Sequence, residues 1–344
     1  MLSQMSVGSI TSIFPRVRRQ GGDERDARSA RFRPAHGQTV EVRSAGEILA
    51  TLDANFGFEG LPFMPEMLKY CGRRMTVARR VNRTCVEGHG IRAMRNVVML
   101  VDSHCDGAAH DGCQRKCLIF WKEAWLRPLD PAGDLVVTAD DTQLDGFHHE
   151  LSSRTREGAR YLCQSTRLQH ATQPLSKFNL MKYFEEIADG ELRVGKFLRI
   201  IVMVLQNRLR ALFGLPRIGS VHGSSGPHSK GDLDLRVGEY VKVRSAQEIS
   251  RTVGPSGRNR GLLFEPDMTA YVGGIFEVDF RIERMISEET GEMVRLTNTV
   301  ALKNVRCEGL CAKNCPRGQA HFWREAWIER INPTDLAPPQ DFSG

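Results

Sequence analysis

Near the start of the chain Val40 and Val42 alternate with Thr39, Glu41 and Arg43, the two-residue rhythm of a strand with one buried face. Ser44-Ala-Gly-Glu47 follows, a serine three positions before a glutamate, and predicts a capped short helix or turn over Ala45–Leu52. Arg74–Val81, Val97–Val101 and Phe120–Leu126 read as further strands, punctuated by Gly and Pro. The same strand patterning returns at Phe276–Ile282, Val300–Val305 and Phe322–Ile328.

Between these regions the period changes. Residues 130–155 carry Pro, Gly, Asp and Thr and read as loop. From Ser176, Phe178, Leu180, Tyr183, Phe184 and Ile187 share one helical face, and Asp189-Gly190 ends it. A second helix is predicted over Leu192–Phe213, with Gly214 and Pro216 as stop signals. Phe197, Leu198, Ile201, Val202, Val204, Leu205, Leu209 and Leu212 fill one broad face, and Lys196, Arg199, Gln206, Asn207 and Arg210 the other. Between 192 and 217 there is no acid, only Arg193, Lys196, Arg199, Arg208, Arg210 and Arg217. Two readings stand. The helix 192–213 lies on an anionic membrane, or it packs on its neighbour and keeps a solvated basic face. The breadth of the apolar face favours the second.

The strand regions are two copies of one unit. Gly37-Gln-Thr-Val-Glu-Val-Arg-Ser-Ala-Gly-Glu-Ile48 is matched by Gly238-Glu-Tyr-Val-Lys-Val-Arg-Ser-Ala-Gln-Glu-Ile249, and Gly60–Met67 by Gly261–Met268, at an offset of 201 residues. From Asn96 and Asn298 onward the offset is 202, through Cys105/Cys307, Cys113/Cys315 and the closing Phe120-Trp-Lys-Glu-Ala-Trp125 and Phe322-Trp-Arg-Glu-Ala-Trp327. The expected fold is mainly β with a helical middle segment: two tandem small SH3-like β-barrels joined by an α-helical hairpin. The expected layout is a disordered basic leader (1–36), a first barrel copy (37–130), a loop-rich connector (131–175) and a helical segment (176–216). A flexible linker (217–236), the second copy (237–333) and a tail (334–344) complete it.

Charge and composition narrow the setting. The formal charge of +7 permits contact with phosphates or an anionic surface without requiring either. Residues Arg16–Arg33 hold seven Arg against Asp23, Glu24 and Asp26, with no signal-peptide core before them. Nowhere do eighteen apolar residues run together. Nine cysteines without a secretory signal point to a reducing, cytoplasmic compartment, where clustered cysteines serve metals more often than disulfides.

The first copy brings Cys85, Cys105, Cys113 and Cys117 together in sequence, with His104 and His110 among them. Such a set suits a tetrahedral soft-ligand site, zinc first and an iron–sulfur cluster second, although Cys-x7-Cys-x3-Cys lacks paired Cys-x2-Cys knuckles. In the second copy Cys105 and Cys113 recur as Cys307 and Cys315, Cys85 is aligned with Ser287, Cys117 becomes Gln319, and Cys311 is new. That copy either rebuilds a site from Cys307, Cys311, Cys315 and His321 or has lost it. Buried inert thiols, or disulfides Cys105–Cys113 and Cys307–Cys315, are the alternatives. Cys71 and Cys163 read as core residues.

Motifs for dinucleotides, phosphate loops, nucleophile elbows and His-Glu-x-x-His zinc sites are missing. Glu123 and Glu325 stand between paired tryptophans, where an arginine partner is the expected role and catalysis the lesser one. A Cys113 nucleophile beside His110 or His104 has nothing to orient it.

The segments Glu-Gly-Leu-Pro-Phe-Met-Pro-Glu-Met (59–67), Cys-Asp-Gly-Ala-Ala-His-Asp-Gly-Cys (105–113) and Phe-Trp-Lys-Glu-Ala-Trp (120–125) resemble a bacterial family with two copies of a cysteine-containing SH3-like domain, found among biosynthetic genes for polysaccharides or secondary metabolites. The resemblance covers most of 37–330, with Tyr161-Leu-Cys-Gln164 in the middle. It implies the two-copy layout and the cysteine-bearing loop, and no activity. The expected role is a zinc-stabilised accessory protein offering a surface to a protein partner. A biosynthetic enzyme using a metal or cysteine nucleophile in the first copy is the rival. Nucleic-acid binding ranks below both, because aromatics interleaved with Lys and Arg on one strand face are missing.

Overall fold

The computed structural model describes residues 32–129, 141–175, 181–188, 190, 192–223, 231–309 and 315–332. The predicted leader through residue 31, the start of the first middle helix (176–180), residues 224–230 of the linker, the tail and Cys311 lie outside the described residues.

The first copy is built from β1 (Thr39–Val42), the short helix α1 (Ala45–Leu49), β2 (Arg74–Arg80), a hairpin of β3 (Arg83–Val86) and β4 (Gly90–Ala93), β5 (Val97–His104), β6 (Leu118–Lys122) and β7 (Leu126–Pro128). The capping box is present: the Glu47 N–H donates to Ser44 Oγ, and Glu47 Oε2 accepts the Ser44 N–H at 2.9 Å. The main sheet runs in the order β6-β5-β2-β1-β7, all neighbours antiparallel. β6 and β7 are separated only by the 3-10 turn Glu123–Trp125, yet they lie at opposite ends of that order. The sheet therefore has to curl into a half-barrel, and the stretch predicted as one strand, Phe120–Leu126, breaks at that corner. Trp121 and Trp125 are fully buried inside, Trp125 edge-on to Phe63 at 5.4 Å.

The middle segment divides between two roles. Asp141–Ser153 forms helix α2 where loop was predicted: Leu144, Phe147 and Leu151 recur at helical spacing, and the short polar residues between them hide the rhythm. Residues 161–172 pack on the first copy, where the Gln164 side-chain amide donates to Phe120 O at 2.9 Å and accepts the Phe120 N–H at 2.8 Å. Helix α3 (Met181–Ala188) is tied to that copy by the buried Glu186–Arg83 ion pair. Helix α4 (Val194–Leu212) packs on α3 through Ile200, Phe197 and Val204 against Tyr183 and Ile187. Its opposite face is uncovered: Leu198, Val202, Leu205, Leu209 and Leu212 are 52–80% exposed. The broad apolar face predicted for this helix is thus two faces, one inside and one open. No helix among the described residues is long and apolar enough to cross a membrane.

The second copy repeats the half-barrel with β8 (Tyr240–Val243), α5 (Ala246–Ser250), β9 (Ile275–Arg281), the hairpin β10 (Arg284–Ile286) and β11 (Met293–Arg295), β12 (Thr299–Arg306), β13 (Ala320–Arg324) and β14 (Ile328–Arg330), ordered β13-β12-β9-β8-β14. Its core is Val241, Ile249, Phe264, Met268, Val278, Leu302, Trp323 and Trp327.

The copies exchange their cysteine loops. Cys113 Sγ accepts the Ile286 N–H of the second copy at 3.4 Å, and Cys315 Sγ accepts the Cys85 N–H of the first at 3.2 Å. Arg115 donates to Ile286 O and Arg317 to Cys85 O in the same reciprocal way. This arrangement corrects the alignment of Cys85 with Ser287. Arg83 pairs with Ala93 and Arg284 with Arg295, so Ile286 is the counterpart of Cys85, and the inserted residue falls in the hairpin turn after it.

Candidate metal centre

The loop that follows β5 is shaped locally. Asp106 Oδ1 accepts the Ala108 N–H at 3.0 Å, the His110 and Gly112 N–H groups donate to Gly107 O, and Cys105 N donates to Cys117 O at 2.9 Å. Gly107 has φ of +73°, and a Cβ there would stand 2.1 Å from Cys113 O. Only glycine fits that approach. The matching Gly309 has φ of +70° and the same close carbonyl, from Cys315.

This folding brings Cys105 and His110 to Glu66, which the 3-10 turn Pro65–Tyr70 supplies. Ligand atoms of Glu66, Cys105 and His110 all lie within 4.8 Å of one another, so the three could hold a metal ion. Glu66 and His110 side chains are 1% exposed. His110 Nδ1 lies 2.6 Å from Glu66 Oε1, and Nε2 donates to Leu162 O at 3.3 Å, which fixes the ring. Glu66 Oε2 is buried with no hydrogen-bond partner, an oxygen that a cation would satisfy. Burial works against charge on Glu66, but the His110 hydrogen bond and charge and the Ala109 N–H outweigh it and hold the carboxyl below the usual range. Burial, then the Glu66 charge, pushes the Cys105 thiol up, so it stays protonated until a cation displaces its proton.

Beside the trio is a cavity of about 30 Å³ lined by Cys105, His110, Cys113, Cys117 and Cys163. That is room for one ion or one or two waters. Cys163, read from sequence as a core residue, is one of its walls, and burial pushes its thiol up to about 12. Cys71 lies apart, its Sγ near Met67 O.

The second copy assembles a parallel trio from other positions. Glu265, Cys307 and His321 lie within the same 4.8 Å limit and could hold an ion. Cys307 is the counterpart of Cys105, but His321 replaces Ile119 and Glu265 replaces Met64. Asp267, the counterpart of Glu66, accepts from Cys307 Sγ at 3.6 Å. His321 Nδ1 is 3.1 Å from Glu265 Oε2, while its buried Nε2 has no partner among the described residues. The Glu265 side chain is 46% exposed, so this trio opens to solvent where the first is closed.

Of the ligands predicted from sequence, Cys105 and His110 meet Glu66, Cys307 meets Glu265 and His321, and Cys113 and Cys117 line the adjoining cavity. Cys85, on β3, and Cys315 stand outside both trios and meet each other, with sulfurs 3.2 Å apart. The eight described cysteines are free thiols, so neither Cys105–Cys113 nor Cys307–Cys315 is a disulfide. The carboxylates were missed, although the acid repeated at 66 and 267 was a readable signal. Glu123 accepts from buried Arg80, and Glu325 accepts from Arg281 and from the N–H groups of Leu233, Asp234 and Leu235. Both glutamates brace their barrels.

No family model, curated protein or solved structure matches this chain.

Proposed function

We propose that this chain is a non-catalytic accessory protein that docks a helical protein partner along α4. Its two half-barrels, of the SH3-like kind, are carried by the α3–α4 hairpin and stiffened by zinc at Glu66, Cys105 and His110. The setting is a reducing cytoplasm, and the service is to a biosynthetic pathway.

The observation that carries this reading is the open row on α4. Leu198, Val202, Leu205, Leu209 and Leu212 stand alternately four and three apart, the spacing of a coiled-coil seam. Arg199 and Arg208 flank the row, and the stretch holds no acid, so an acidic amphipathic helix is the complementary occupant. The row is aliphatic and has no Trp or Tyr, the residues that anchor at a membrane interface, which favours a helix over a lipid surface.

The metal trio fills three of the four positions of a tetrahedral zinc, the count of a catalytic centre, so the structural reading rests on its enclosure and not on its ligand number. One sulfur, one imidazole and one carboxylate suit zinc better than an iron–sulfur cluster, which takes thiolates. Zinc there would supply folding energy. A cavity of about 30 Å³ admits an ion but no substrate.

The test uses the full chain and a synthetic acidic helical peptide with leucines at the same four-three spacing, followed by fluorescence anisotropy. Binding is expected, weakening with salt, and at least ~10-fold weaker in a Leu205→Glu/Leu209→Glu variant, about 1.4 kcal/mol. Failure to bind the peptide overturns the reading. So does equal binding by the variant, or an apolar row that instead sediments with phosphatidylserine vesicles or pairs with a second copy in the ultracentrifuge.

A further inference from the structure

Cys85 and Cys315 are 230 residues apart in sequence and belong to different copies, yet their sulfurs lie 3.2 Å from each other. The contact is built from both sides. Cys315 Sγ receives the Cys85 N–H at 3.2 Å, and its thiol lies at the same distance from Cys85 Sγ. Arg317, buried and held by Glu288 at 2.9 Å, places Nη1 4.0 Å from Cys85 Sγ. That guanidinium disfavours a divalent cation at the pair, and the carboxylate beside it is already engaged. The symmetry-related place in the molecule has Cys113 against Ile286, with a single sulfur. The two-sulfur contact is therefore a feature of one side of the interface alone.

We propose that Cys85 and Cys315 are a hydroperoxide-reactive dithiol pair whose oxidation to a disulfide ties the two copies together. The Cys85 side chain and the Cys85 N–H, against the opposing effect of burial, draw the Cys315 thiol down, and with that backbone donor on its sulfur Cys315 is the attacking thiolate. The Cys315 thiolate attacks one peroxide oxygen: an S–O bond forms, the O–O bond breaks, and the departing alkoxide or hydroxide takes the proton that Cys315 released. Cys315 is then a sulfenic acid. The Cys85 sulfur attacks it, the S–S bond forms, the S–O bond breaks, and hydroxide leaves as water with the Cys85 proton. Two thiols and one hydroperoxide give one disulfide, one alcohol (or water) and one water. The two electrons come from the sulfurs. Cys315 is 4% exposed, which limits the oxidant to the smallest member of the class, hydrogen peroxide. Closing the sulfurs to about 2.05 Å asks for a shift of little more than an ångström.

The experiment treats the full chain with stoichiometric hydrogen peroxide, blocks remaining thiols with an alkylating agent, and maps peptides without reduction. A cross-linked peptide joining Cys85 to Cys315, lighter by two hydrogens than its parts and released by dithiothreitol, is expected. It disappears in Cys85→Ser and in Cys315→Ser, and persists in Cys113→Ser. In Cys85→Ser, which keeps the attacking sulfur, a sulfenic-acid trap labels Cys315. Circular dichroism verifies that each variant is folded. Free alkylated Cys85 and Cys315 after a dose that oxidises other cysteines would overturn the proposal. So would a cross-link confined to other cysteines, or a Cys315 sulfinic acid formed in the wild type without any link to Cys85.

Discussion

The first and second copies share their frame and differ in their buried polar groups. Both keep the capping box, Ser44 with Glu47 and Ser245 with Glu248. Both seat a tryptophan edge-on to a phenylalanine, Trp125 on Phe63 and Trp327 on Phe264, and both bond its indole N–H to a threonine, Thr51 or Thr252. Around this frame the partners change. Buried Lys122 pairs with Glu59 at 2.8 Å, whereas its counterpart Arg324 finds Arg260 in place of that acid and bonds carbonyls instead. Burial and the Arg260 charge bring Arg324 down to about 10. Trp121 donates to Ser103 at 2.7 Å, but Val305 stands in that place in the second copy, and Trp323 Nε1 has no partner among the described residues. The tryptophan–phenylalanine packing is kept in both copies, while a polar partner is exchanged at the cost of a bond. At these two positions the first copy keeps partners that the second has lost.

Four measurements break or sharpen that contrast. If the frame is equal, Trp125→Ala and Trp327→Ala cost alike, about 3–5 kcal/mol each in urea unfolding; a large difference between them breaks the symmetry of the frame. Next comes the metal. Chelation is expected to lower the stability of the full chain by roughly 3 kcal/mol for free zinc at ~100 times Kd. Cys105→Ser should abolish most of that effect and Cys307→Ser little, read by elemental analysis and thermal unfolding; a larger loss from Cys307→Ser reverses the ranking of the two centres. The third effect is smaller. Val305→Thr keeps the shape of valine and offers Trp323 an acceptor, and is expected to stabilise by about 1 kcal/mol, whereas Ser103→Val destabilises by about 1–3 kcal/mol. Unchanged stability in both would mean that the indole N–H groups carry no weight here.

The smallest effect is in acid. Glu66 has its folded pKa held below the unfolded value, so its contribution is present above the ordinary glutamate range and is lost as pH falls through the depressed folded value. Metal-free protein should therefore lose stability in that window, and Glu66→Gln should flatten the curve. Glu265 shifts in the same direction through burial opposed by the His321 hydrogen bond and charge, but its open side chain makes the equivalent change weaker. A Glu265→Gln profile as steep as that of Glu66→Gln would contradict the difference in enclosure.

Much of the frame was readable along the chain. Val40 and Val42, Ser44 with Glu47, and the repeated Phe-Trp-x-Glu-Ala-Trp each act over a few neighbours, and such signals survive in one dimension. The break at Glu123 was not readable, because it follows from closing a sheet whose ends meet in space. The centre was half legible: Cys105 and His110 stood out by type and spacing, but Glu66 comes from 39 residues away and was marked only by the acid repeated at Asp267.

By itself the sequence determined that one unit occurs twice, that each is mainly β, that a helical pair stands between them, and that sulfur gathers between the strands at Val97–Val101 and Phe120–Leu126. Those properties live in periodicity and local capping, which need only nearby residues. Tertiary structure alone decided that Cys85 faces Cys315, that carboxylates complete the two trios, and that α4 leaves a leucine row open. Each depends on which distant segments pack together, and a thiol or a leucine carries no mark in the chain of the neighbour it will meet.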